Sequence, residues 1–140
     1  MTKEKTMNWK LIFLLSLFGL AMAFATVFFI PSNVEPFFWL AIFVIVAYLI
    51  ATRAPGKHFL HGLMVGIVNS VWVTSAHVLL FEQYIANHAR EAEMMRQAPL
   101  SPRVMMAVTG PVIGVISGVV LGIFALIAGK LVRRREPASA

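Results

Sequence analysis

Asn69, Ser70, Thr74 and His77 lie inside a long apolar run, and their spacing gathers them on one side of an α-helix. Counting about 100° per residue from Asn69, these four fall with Gly62 and Gly66 in one arc of about 140°. Tyr84 and His88 extend the stripe beyond the run. The opposite side carries Val, Ile, Leu and Trp72. An amide, two hydroxyls and an imidazole on one face avoid hydrocarbon, where an unsatisfied polar group is costly, and turn toward protein or a hydrated space. Two chemistries suit them. One is a polar pathway for a proton, ion or metal through Asn69, Ser70, Thr74, His77 and Tyr84, with His77 titrating near neutral pH. The other is interhelical hydrogen bonding, which needs no ligand and contributes about 0.6–2 kcal/mol per bond. No Asp, Glu, Lys or Arg lies within an apolar core to serve as relay partner, so packing is the preferred reading.

The other reactive types are sparser. His58 and His61 share a helix face but supply only two of the three or four ligands that a metal site needs, which leaves two interfacial imidazoles. His88, Met94, Met95, Met105 and Met106 form a weak metal-ligand set, since imidazole and thioether suit copper(I). Neighbouring methionines point about 100° apart on a helix, and Met also fills irregular apolar surface. Ser32-Asn33-Val34-Glu35 matches a capping box, which makes Glu35 a cap before a catalytic acid. Glu82, Glu91 and Glu93 with Arg90 and Arg96 read as a solvated surface with pairs such as Arg90–Glu93. No phosphate loop, zincin motif or nucleophile elbow is present; the chain reads as a non-enzyme that calls for no cofactor.

The elements that position these residues follow from composition. Of 140 residues, 59% are hydrophobic and only 13% charged, with mean hydropathy +0.82, and the charges cluster between four long apolar runs. Each run reaches the roughly 20 residues needed to cross a bilayer. The chain is therefore expected to be all-α, a single polytopic domain of four transmembrane helices in an up-down bundle. Spans are expected at about 10–30, 34–52, 58–82 (with a helical extension to about 97) and 102–132. Pro31 ends the first, so the first two form a tight apolar hairpin. Ser101 and Pro102 start the fourth, where Pro111 predicts a kink near 107–111. That fourth run contains Gly110, Gly114, Gly118 and Gly122 at intervals of four, a nearly bare stripe that Gly129 rejoins. Small residues at this spacing let a second backbone come close, and Gly62 and Gly66 offer the matching surface. The ridge serves packing within the chain or between chains, so a homo-oligomer or a membrane-protein partner is expected beside the lipid bilayer.

Nine cations, Lys3, Lys5, Lys10, Arg53, Lys57, Lys130, Arg133, Arg134 and Arg135, fall on one side of the predicted spans, against Arg90, Arg96 and Arg103 on the other. The positive-inside rule then puts both termini in the cytoplasm. The net charge of +6 flanks the spans and forms no basic face for nucleic acid. A charged start before an apolar run also describes a signal peptide, but this run continues past Ala23-Phe24-Ala25, which favours retention. Over about residues 57–135, HFLHGLMVGIVNSVWVTSAHVLLFEQYIANH followed by GPVIGVISGVVLGIFALIAGKLVRRR is similar to small four-helix membrane proteins of unknown function in bacteria, especially Bacteroidetes. The resemblance implies a bacterial inner-membrane location and an architecture, and it supplies no site residue. A structural, assembly or accessory role through the glycine ridge is the leading expectation, and a small channel or transporter the alternative.

Overall fold

A computed structural model describes residues 5–135 of the chain. It is all-α, with six helices: α1 (Trp9–Phe28), α2 (Glu35–Arg53), α3 (His58–Leu79), α4 (Phe81–Asn87), α5 (Ala89–Arg96) and α6 (Pro102–Arg135). Four of them, α1, α2, α3 and α6, are long and apolar enough to cross a membrane. Lys3, one of the nine topology-setting cations, lies outside the described residues.

The fold is built on α3 and α6. Gly62 faces the backbone of Gly122, Gly66 faces Gly118, Ser70 fills the space beside Gly114, and Thr74 fills that beside Gly110. As the α3 number rises by four the α6 number falls by four, so the two helices run antiparallel in one sustained register. A Cβ added at Gly62 would lie 2.7 Å from Gly122 Cα, so only hydrogen fits between the chains at this level. His58 closes the seam against Gly129. α6 continues without interruption through Pro111.

α1 packs on α3, and α2 packs mainly on α6. The expected self-packed hairpin of the first two helices is therefore not formed: they straddle the α3–α6 pair and touch each other little. All four meet in one apolar cluster, where Ile12, Val46, Ile50, Val65 and Leu121 are fully buried. At the same end His61, expected to be interfacial, is buried completely. Its Nδ1 lies 2.9 Å from the Lys57 carbonyl and must donate to it, which leaves Nε2 to accept from the Asn8 backbone N–H at 3.0 Å. Asn8 meanwhile caps α1 through its Oδ1, which accepts from Leu11 N–H. Lys57 itself holds a left-handed φ of 50°, and its carbonyl also receives the His61 backbone N–H. One imidazole thus fixes the start of α1 to the start of α3.

At the other end, the helix expected to run unbroken to about 97 breaks at Leu80 and again at His88. The first break folds Tyr84 down onto Val27 and Met106, an apolar cluster that a straight extension would have left exposed. Asn87 Nδ2 then donates to the Val27 carbonyl at 2.8 Å, satisfying a group that the end of α1 leaves free. The capping box is also absent: Val34 is the N-cap of α2, no side chain caps it, and Glu35 N–H donates to the Pro31 carbonyl. Arg90–Glu93 is replaced by Arg96–Glu93 at 3.3 Å, and Arg103 reaches Glu82 at 3.7 Å.

Because the seam has no slack, Gly62→Ala is expected to cost about 2 kcal/mol by forcing two backbones apart. Its melting temperature in detergent should fall clearly below that of Val112→Ala, whose side chain is exposed. Equal melting temperatures for the two variants would contradict the seam.

Candidate functional site

The polar stripe divides among three neighbours. Ser70 and Thr74 turn to α6, where each occupies the notch of a glycine. Asn69 turns to α1: its amide sits where a Gly19 side chain would be. In all three pairs the glycine Cα hydrogen points toward a side-chain oxygen, a recurring weak C–H···O arrangement at helix interfaces. Thr74 Oγ1 and Asn69 Oδ1, which have no conventional hydrogen-bond partner, are two of these oxygens. Ser70 Oγ donates to the Ile67 carbonyl at 2.7 Å. On the apolar side of α3, Trp72 Nε1 donates to Ser16 Oγ of α1 at 3.1 Å.

His77 meets the end of α1, its Nε2 3.0 Å from Thr26 Oγ1. That hydroxyl also lies 2.9 Å from the Met22 carbonyl, the bond by which a buried Thr satisfies itself within its own helix. The His77 ring stacks on Tyr84, centroids 4.3 Å apart, and Tyr84 stacks on His88 at 4.2 Å. His88 Nδ1 donates to the Tyr84 carbonyl at 2.8 Å, leaving its buried Nε2 without a partner. Tyr84 therefore lies between two imidazoles and keeps them from sharing an ion. Burial, with the nearby Glu91 and Glu35 carboxylates, pushes its phenol up to about 12, so it stays neutral across the physiological range.

The methionine set is not gathered. Met106 and Met95 pack around Tyr84, whereas Met94 is more than half exposed. Among the described residues no three His, Asp or Glu side chains come together as metal ligands.

What the sequence did not reveal is a cavity of about 680 Å³ between the first half of α2, the second half of α3 and the first half of α6. The α3 wall contributes Gly66, Asn69, Ser70, Thr74 and His77; α6 contributes Gly110, Gly114 and Ser117. Trp39 and Phe43 of α2 form the facing wall, and Tyr84 of α4 and Met95 of α5 also line the space. Phe43, one of its lining residues, packs against the four-helix apolar cluster, where Val46, Val65 and Leu121 have no exposure. Glu35 stands in the first turn of α2, its Oε1 accepting from Trp39 Nε1 at 3.0 Å. The cavity could not be read from periodicity, because it depends on which partner α2 chooses.

No family model matches the chain, and no curated protein or solved structure matches it either. The kinship implied by the sequence is thus not established; a helical protein with four candidate spans stands.

Gly19→Ala should be destabilising, because its Cβ would strike the Asn69 side chain out to that residue's own Cβ. Adding Asn69→Ala should recover part of the loss, giving a coupling of about 1 kcal/mol in thermal or denaturant unfolding. Strict additivity would separate α1 from the stripe.

Proposed function

We propose that this chain is a small multi-pass inner-membrane protein, both termini cytoplasmic, that binds an apolar small molecule in a pocket open toward its outer half. The observation that carries the reading is the cavity of about 680 Å³, with polar groups on one wall and aromatic rings on the other. Pockets of about 300–1,000 Å³, mostly apolar with a few convergent polar groups, are the usual form of small-molecule sites. The apolar cluster of all four long helices, against which Phe43 packs, favours binding over conduction. The stripe supports this too, since Ser70, Thr74 and Asn69 are taken up by glycine notches and do not form a continuous file. Catalysis has no support: neither a nucleophile–base pair nor a pair of carboxylates lines the space.

The glycine ridge, which the sequence leaves open to packing within the chain or between chains, is occupied here by α3 of the same chain. An accessory role then rests on the pocket and on the exposed outer faces of α2 and α6 in lipid. The cytoplasmic side carries the cation-rich ends, and α4 and α5 lie outside.

The absence of cysteine makes orientation testable with single substitutions. In intact cells a membrane-impermeant maleimide should label Gln97→Cys and not Pro55→Cys; the reverse pattern would invert the topology. For the pocket, Nile red should bind saturably, one per protein, in nanodiscs beyond its partition into empty discs. Ser117→Phe, which fills the cavity from α6, should reduce that binding about tenfold. Retained binding would remove the cavity as the site.

A further inference from the structure

Resting on the reading of the cavity as a ligand site, we infer that its ligand is a lipophilic cation: a bulky apolar body carrying one positive charge. Among the described residues that line the space, Glu35 is the only carboxylate, and none is Lys or Arg. It is half-buried, and its Oε1 is held by Trp39 Nε1, so the carboxylate is fixed at the rim of an apolar chamber. Neither ion pair at this end of the molecule involves it: Glu82 engages Arg103 and Glu93 engages Arg96. Arg103 is further occupied over the Phe81 ring, 5.1 Å from its centroid.

The local charge balance points the same way. Four carboxylates (Glu35, Glu82, Glu91 and Glu93) stand at this end against three guanidiniums (Arg90, Arg96 and Arg103), although the whole chain carries +6. Its excess of cations sits at the opposite end, in Lys57, Lys130 and Arg133–Arg135. A cation entering from the outer side therefore meets net negative charge before it meets the chamber.

Within the chamber the surfaces suit a desolvated cation. Trp39 and Phe43 supply two aromatic side chains, and a ring face attracts a cation most when water is excluded. A compact ammonium with a tight water shell would lose hydration here and find one carboxylate in return. A quaternary ammonium or phosphonium carries its charge inside apolar groups and loses little. An anion of the same shape would face Glu35 with no compensating cation.

Tetraphenylphosphonium and tetraphenylborate share shape and size and differ in charge, so they separate the two requirements. Calorimetric titration of the full chain in detergent should show saturable tetraphenylphosphonium binding, about tenfold tighter than tetraphenylborate. Glu35→Gln retains an acceptor for Trp39 Nε1 and should erase most of that preference; Phe43→Leu should weaken the phosphonium alone. Equal affinity of the two ions for the wild type, or an unchanged preference in Glu35→Gln, would overturn the inference while leaving a pocket that takes Nile red. Loss of Nile red binding in the wild type would remove the pocket and this inference together.

Discussion

The rest of the molecule depends on the distance between two backbones. At Gly62–Gly122 and Gly66–Gly118 nothing larger than hydrogen separates α3 from α6. In lipid this contact gains nothing from the hydrophobic effect, so it draws on dispersion, C–H···O contacts and the mutual fit of two bare surfaces. Its cost lies in what small residues cannot do: they fill no volume beyond the seam. Gly66, Gly110 and Gly114 therefore appear twice, once as contact points and once as the concave wall of the cavity. Close packing on one side and empty space on the other have the same cause.

Much of this architecture was legible because helices write their contacts in a period of about four. Four long apolar runs announced four helices, and glycines at 110, 114, 118 and 122 lie along one side of α6 whatever their partner. The features that stayed hidden are those set by tertiary competition. Nothing around Leu80 or His88 signals a break by propensity; the breaks exist because Tyr84 gains burial against Val27 and Met106. Ser32 to Glu35 has the letters of a capping box, yet the chain begins α2 with the Pro31 carbonyl accepting from Val34 and Glu35. Glu35 is thereby free to hold Trp39 instead. Gly19 is alone in α1, so no repeat marked it as the seat of Asn69. His61 looked interfacial because Arg53 and Lys57 shortly precede it in the chain, and only the fold shows it buried and bonded to the start of α1.

The two ends of the bundle are held by different physics. Cohesion at the His61 end combines an apolar cluster from all four long helices with a directional bond set centred on that imidazole, whose two ring nitrogens have fixed roles. Cohesion at the Tyr84 end comes from aromatic stacking and from single bonds onto the end of α1, Asn87 to Val27 and His77 with Thr26. Those bonds join α3 and α4 to α1. None of them includes α2.

That asymmetry decides what shapes the cavity. The buried residues of α2 are Val46, Ala47 and Ile50, all in its second half. Its first half carries Phe37, Phe38 and Leu40 exposed, and holds its rim through the Glu35–Trp39 bond within one turn of helix. The wall formed by α3 and α6 is rigid by construction, since neither backbone can approach or retreat without breaking the glycine contacts. The facing wall is a helix anchored at one end only. Cavity width is therefore governed by α2, and Glu35 rides on the part of α2 that the core does not hold. Held to Trp39 within one turn of the same helix, its carboxylate stays at the rim wherever that half of α2 stands.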